Sequence, residues 1–233
     1  MAEAVYRAVR ELRTGELKDI FMEHMRGETI ASKSFEIIRE RLGEVDASAE
    51  ELEIIIRVAH TTGDVEFAKT FIFPPGSIQA GVDALAGGSN VITDVEMVRA
   101  GIRARLVEGF GGRVLCFLND PEVVESSKTV QSTRSALGMR KAGEAMAGGV
   151  VAVGNAPTAL FELMEMVQSG AARPALIVGV PVGFVGALES KQALSQLDYP
   201  HITNVSERGG STIAAAIVNG LLALAEKRKE THG

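Results

Sequence analysis

The segment RVAHTTGD, residues 57 to 64, sets a guanidinium, a lone imidazole and a carboxylate at the end of an apolar run, ELEIIIRVAH. Imidazole is the side chain that exchanges a proton nearest neutrality, so His60 is a candidate general acid. On a helix Glu53, Arg57 and His60 fall at i, i+4 and i+7 and share one face. Asp64 continues that face if the helix persists. A helix C-terminus favours imidazolium, whereas the neighbouring guanidinium and burial among Ile55, Ile56, Val58 and Ala59 disfavour it. The same surroundings suit a purely structural histidine, so spacing alone leaves both roles open.

Other residues with chemical potential lie in loops after short apolar runs. Arg134, in QSTRSALG, opens a helix, and beside exposed backbone N–H groups it would clamp a carboxylate. GVPVGFVG, 179 to 186, is glycine-rich, but its spacing is not the G-x-G-x-x-G of a dinucleotide loop, and Pro181 has no N–H to give. GNAPTALF places Asn155 at a helix cap with Pro157 in the first turn, a sound helix start in any protein. Cys116, the single cysteine, lies in RVLCFL, where packing in a buried strand is the expectation. His24, His201 and His232 have no partner that spacing reveals.

Five runs rich in β-branched or apolar residues must position these loops: NVIT (90 to 93), RVLCF (113 to 117), VVAVG (150 to 154), ALIVG (175 to 179) and HITNV (201 to 205). Helix-compatible segments separate most of them, and residues 1 to 75 read as helical, with a capping box at Ser48-Ala-Glu-Glu51. Strands alternating with helices imply a doubly wound, mainly parallel α/β sheet of five strands, flavodoxin-like or Rossmann-like, with N-terminal helices. In such sheets ligands sit beyond the carboxyl ends of the strands. The expected layout is an N-terminal helical extension, 1 to 29, and a single α/β domain, 30 to 233. Three loops that run into helices are expected to leave backbone N–H groups facing the crevice.

Composition narrows the function classes. The chain has 233 residues, with Lys plus Arg at 24 and Asp plus Glu at 30, a net charge of −6 and no long basic tract. Nucleic acid and anionic membrane surfaces are therefore not expected partners. One thiol builds neither a disulfide nor a thiolate zinc cage, so no metal site is expected. MAEAVYRAVRELRTGEL lacks an apolar h-region, and no stretch approaches a membrane span, which points to the cytoplasm.

The segments SFEII (34 to 38), RVAHTTGD, DVEMVRAGI (94 to 102), STRSA (132 to 136), GNAPTALFEL, RPALIVGVPVGFVGALESK (173 to 191) and RGGS (208 to 211) together resemble the precorrin-8X methylmutases. The resemblance runs in order from about Ile30 to Leu222. It implies an isomerase that moves a methyl group from C-11 to C-12 of a corrin precursor, metal-free or cobalt-bearing, without cofactor or methyl donor. It implies His60 as general acid, Ser34 and Arg57 at substrate-binding positions, Arg134 as a clamp for an acidic side arm, and a homodimer. Lys33 departs from the arginine that often precedes the S-F pair, keeping charge but losing a bidentate fork. A corrinoid carrier without chemistry is the alternative, and a flavodoxin-like nucleotide or flavin protein a third reading.

Overall fold

A computed structural model describes residues 27–232. The chain divides into two compact units, Met1–Gly43 and Glu44–Gly233. In the first, the described part is helix α1, Gly27–Leu42. Most of the expected N-terminal extension, residues 1–26, lies outside the described residues.

The second unit begins with α2, Ala49–Thr62. Its capping box forms as read: Glu51 N donates to Ser48 Oγ at 3.2 Å, and Ser48 N donates to Glu51 Oε2 at 2.7 Å. Gly63, left-handed at φ 67, ends the helix by donating its N–H to Ala59 O. The turn redirects the chain, so Asp64 does not continue the face of Glu53, Arg57 and His60. It instead caps the one-turn helix α3, Val65–Ala68, accepting from Phe67 N at 2.8 Å.

Then follow β1 (Phe71–Ile72), α4 (Ser77–Ala86), β2 (Val91–Thr93), α5 (Glu96–Gly101), α6 (Ala104–Phe110), β3 (Val114–Cys116), α7 (Pro121–Ser126), α8 (Arg134–Ala142), β4 (Val150–Val153), α9 (Pro157–Gln168), β5 (Leu176–Gly179), α10 (Ala187–Ser195), β6 (His201–Asn204) and α11 (Ser211–His232). The six-stranded sheet has the order β1-β6-β5-β4-β2-β3, and β2 to β6 pair in parallel. The expectation of five strands is corrected by β1, which pairs antiparallel with β6 through Phe71 and Ile72. Two residues carry no period of their own, so this strand exists only because β6 offers it an edge.

Strands β4, β5 and β6 are buried along their whole length, as strands covered on both faces must be. On one face Leu160 and Leu163 of α9, Met139 of α8 and Leu194 of α10 pack with Ile92, Val151 and Ile177 into a continuous core. On the other, α11 packs against α2, α4 and α5 and touches β4 and β5. The apolar C-terminal helix thus packs against elements of its own chain. Cys116 sits half-buried on β3, where burial pushes the thiol up, a packing position. Among the described residues no helix is long and apolar enough to cross a membrane.

Candidate active site

Helix α2 runs antiparallel along α11. Lys227 Nζ meets Glu53 Oε2 at 3.4 Å, while a side chain on Gly220 would meet Ile54 and Arg57. The His60 end is therefore carried toward the start of α11 and the carboxyl edge of the sheet. There Arg208, in the loop after β6, donates to Asp64 Oδ2 at 2.7 Å and lies 4.0 Å from the centroid of the Phe67 ring. This contact joins RVAHTTGD to RGGS across 144 residues of sequence. Asp64 is held below the usual carboxylate range, first by the N–H of Phe67 and then by Arg208.

His60 is exposed on the last turn of α2, not buried among its apolar neighbours as the sequence suggested. Arg57 is turned the other way along the helix. Its Nε and Nη2 reach Glu53 Oε1 at 3.1 and 2.9 Å. Burial works to raise the Glu53 carboxyl, but Arg57 and Lys227 outweigh it and the net shift is downward. Arg57 thus has a carboxylate partner inside the chain. Ser34 lies in the middle of α1, so it caps no helix end. It belongs to the other compact unit.

The loops after β5 and β6 brace each other: Gly183 N donates to Glu207 O at 3.1 Å, and Gly210 N to Val180 O at 2.9 Å. Lys191, wholly buried on α10, holds the same place by donating to Arg208 O at 2.6 Å, with Asn204 Oδ1 at 3.5 Å. Desolvation lowers its pKa to about 8. A base lowered in the fold but not in the unfolded chain holds fewer protons when folded, so stability rises with pH above about 8 and levels off near the unfolded value. Urea unfolding of wild type and Lys191→Met across that window is expected to show their stability difference moving in favour of wild type by up to about 3 kcal/mol. A flat difference would place the charge in water.

The nest of backbone N–H groups after β4 was expected to face the crevice, and the structure corrects this. Asp94, which follows β2 and is 2% exposed, accepts from Gly154 N at 3.1 Å, Asn155 N at 2.8 Å and Ala156 N at 2.7 Å. Burial raises its carboxyl and the three donors pull it back, with a net upward shift. The carboxylate stands where a dinucleotide loop would hold phosphate, at the point where the sheet changes its direction of growth between β2 and β4. A phosphate cannot enter that nest while Asp94 holds it.

Arg134 is the first residue of α8, exposed, and pairs with no carboxylate among the described residues. A cation at a helix N-terminus is opposed by the helix dipole, so its place there is not explained by the helix. Thr133, which caps α8, shares a 2.7 Å hydrogen bond with Thr158 on α9. Thr133, Thr158 and Phe161 line an open cleft of about 530 Å³. Arg134, the β5 loop, Arg208 and His60 thus mark out the carboxyl rim, whereas Arg57 faces α11 lower down.

Sequence reasoning saw Asp94, Lys191 and Arg208 only as letters within motifs. Nothing in their local pattern shows that the first fills a nest, the second is buried, or the third bridges two loops. His201 is 1% exposed, with Nδ1 at 2.9 Å from Tyr199 O and a buried Nε2 that has no hydrogen-bond partner among the described residues. It lies at the start of β6, the opposite end of the strand from the rim.

Comparison with known proteins covers the stretch that carries these motifs. The family model described as precorrin-8X methylmutase matches residues 29–224. The chain is 42% identical over 197 residues to the cobalt-precorrin-8 methylmutase of Priestia megaterium, covering 84% of this chain and 88% of that one. It is 42% identical over 198 residues to the precorrin-8X methylmutase of a Sinorhizobium species, covering 84% and 94%. The solved precorrin-8X methylmutase of Thermus thermophilus superposes with a TM-score of 0.81 at 35% identity, over 87% of this chain and 98% of that one.

Proposed function

Because the chain belongs to the precorrin-8X methylmutase family and is an isomerase of cobalamin biosynthesis, we propose that His60 is the acid of its methyl migration. The reaction moves a methyl group from C-11 to C-12 of precorrin-8X or its cobalt form, giving hydrogenobyrinate or cobyrinate. The C-11 bond to the methyl carbon breaks as the C-12 bond forms, and the methyl carries its bonding pair. A proton lent to the conjugated ring by His60 lowers the cost of that shift, and its return to the imidazole leaves the composition unchanged. The observation that carries this reading is the exposed His60 at the carboxyl rim, in a segment tied by Asp64 to Arg208. Incubating the purified protein with precorrin-8X and following absorbance tests it, because the migration changes the chromophore; an unchanged spectrum with both the metal-free and the cobalt ring would overturn it.

Arg134 is read as a clamp for one acidic side arm, supported by its exposure and its lack of an ion pair among the described residues. Arg134→Ala is expected to raise KM by roughly tenfold to a hundredfold with kcat nearly kept, since a peripheral carboxylate is bound alike in ground and transition states. A fall in kcat alone would assign it to the reaction itself. Arg57 and Ser34 stay in the same proposal as substrate-binding residues, with Arg57 also steadying α2 through Glu53.

The same reading takes residues 30–233 as one functional domain and the sheet as flavodoxin-like, supported by the order in which β3 and β4 flank β2. A cytoplasmic homodimer belongs to it too. Sedimentation velocity tests the dimer.

A further inference from the structure

Phe184 is 95% exposed and Val185 89%, with Val182 of the same loop at 46%. Scattered exposed apolar residues are ordinary, but these are not scattered. Met97 after β2, Phe161 on α9 and Val205 after β6 are exposed as well, so the carboxyl end of the sheet holds six of the ten large apolar side chains exposed among the described residues.

The outward pose of Phe184 is built into the loop. Gly183, at φ 150, is pinned through its N–H to Glu207 O, and Gly186, at φ 76, turns the chain into α10. Both angles favour glycine, so the backbone holds Phe184 and Val185 between two points that other residues rarely adopt. The loop also lies between the segments that carry Arg134 and Arg208. On one side a side chain at Gly186 would meet Pro157 and Phe161, next to Thr158 and the Thr133-Arg134 cap. On the other, Glu207 leads directly to Arg208, paired with Asp64 beyond His60.

We propose that Phe184, with Val185 beside it, binds the substrate by laying its ring against one face of the flat conjugated macrocycle, while acidic arms reach the flanking arginines. An apolar centre with a cationic margin is the complement of a planar tetrapyrrole that carries carboxylates at its edge. A second copy of the chain fits less well, because a stable interface buries about 800 Å² per partner and these six side chains, set among Arg134, Glu207 and Arg208, supply only part of that. The proposal rests on the methylmutase reading.

The test uses the full-length protein, with wild type, Phe184→Ala, Phe184→Trp and, as a control away from the loop, Val130→Ala. Hydrogenobyrinate is titrated into each by absorbance, KM and kcat are measured with precorrin-8X, and mass is read by sedimentation velocity. Phe184→Ala is expected to lose about tenfold or more in affinity at unchanged mass, with Phe184→Trp and Val130→Ala close to wild type. The chain contains no tryptophan, so the indole in Phe184→Trp is the sole one, and acrylamide should quench it fully in the ligand-free protein. Unchanged affinity in Phe184→Ala overturns the proposal. So does a fall in affinity accompanied by a change in mass or by an indole already shielded without ligand, since a second copy then covers the loop. If wild type converts precorrin-8X and only the Phe184 result fails, the methylmutase reading stands; if wild type neither binds nor converts, both fall.

Discussion

His60→Ala is expected to bind precorrin-8X nearly as wild type does and to convert it at least a hundredfold more slowly, the range general acid catalysis commonly supplies being about 10²- to 10⁴-fold. The expectation follows from position. His60 is exposed on the last turn of α2, so removing its ring opens no cavity and should leave circular dichroism unchanged. The helix is fixed elsewhere, by its capping box, by Glu53 with Arg57 and Lys227, and by Asp64 with Arg208. An equal loss in kcat and kcat/KM would mark an interaction made only in the transition state. A rise in KM at constant kcat would make His60 a binding residue instead. Were both wild type and variant to bind without converting either ring, the chain would act as a corrinoid carrier.

Asp94→Ala is expected to lower stability by on the order of 3 kcal/mol, because three backbone donors, two of them buried, lose their acceptor at once. Asp94→Asn should fall between, since its carbonyl keeps one or two of these bonds while its amide group faces N–H donors. The alanine variant carries a second signature. With the carboxylate gone, the emptied nest at the start of α9 becomes a site for a small anion, so sulfate should raise its melting temperature more than that of wild type at equal ionic strength. Sulfate strengthens folding generally, which is why the difference between the two proteins is the reading. A variant as stable as wild type would show that the nest is satisfied by other means.

Much of the frame was legible because it is locally encoded. The five parallel strands lie inside the β-branched runs that marked them, and the Ser48 box sits where its letters place it. His60 was legible too, as the lone imidazole at the end of an apolar helix. Misreadings came where a neighbour far along the chain decides. Asp64 left the helix face because Gly63 redirects the backbone, and its partner is Arg208. Arg57, by contrast, meets Glu53 one turn back on the shared face that the i, i+4 spacing gave them.

By itself, then, the sequence determined the alternation of strands and helices, the family motifs and the place of His60 at a helix end, all set by spacing within about ten residues. Only the tertiary structure decided that Asp94 fills the nest after β4, that Lys191 is buried and donates to Arg208 O, that β6 recruits a sixth strand, and that Phe184 stands exposed in the loop after β5. The physical reason is that hydrogen bonding and desolvation are settled by whichever group closes the last gap. In a doubly wound sheet that group arrives from a loop dozens of residues away.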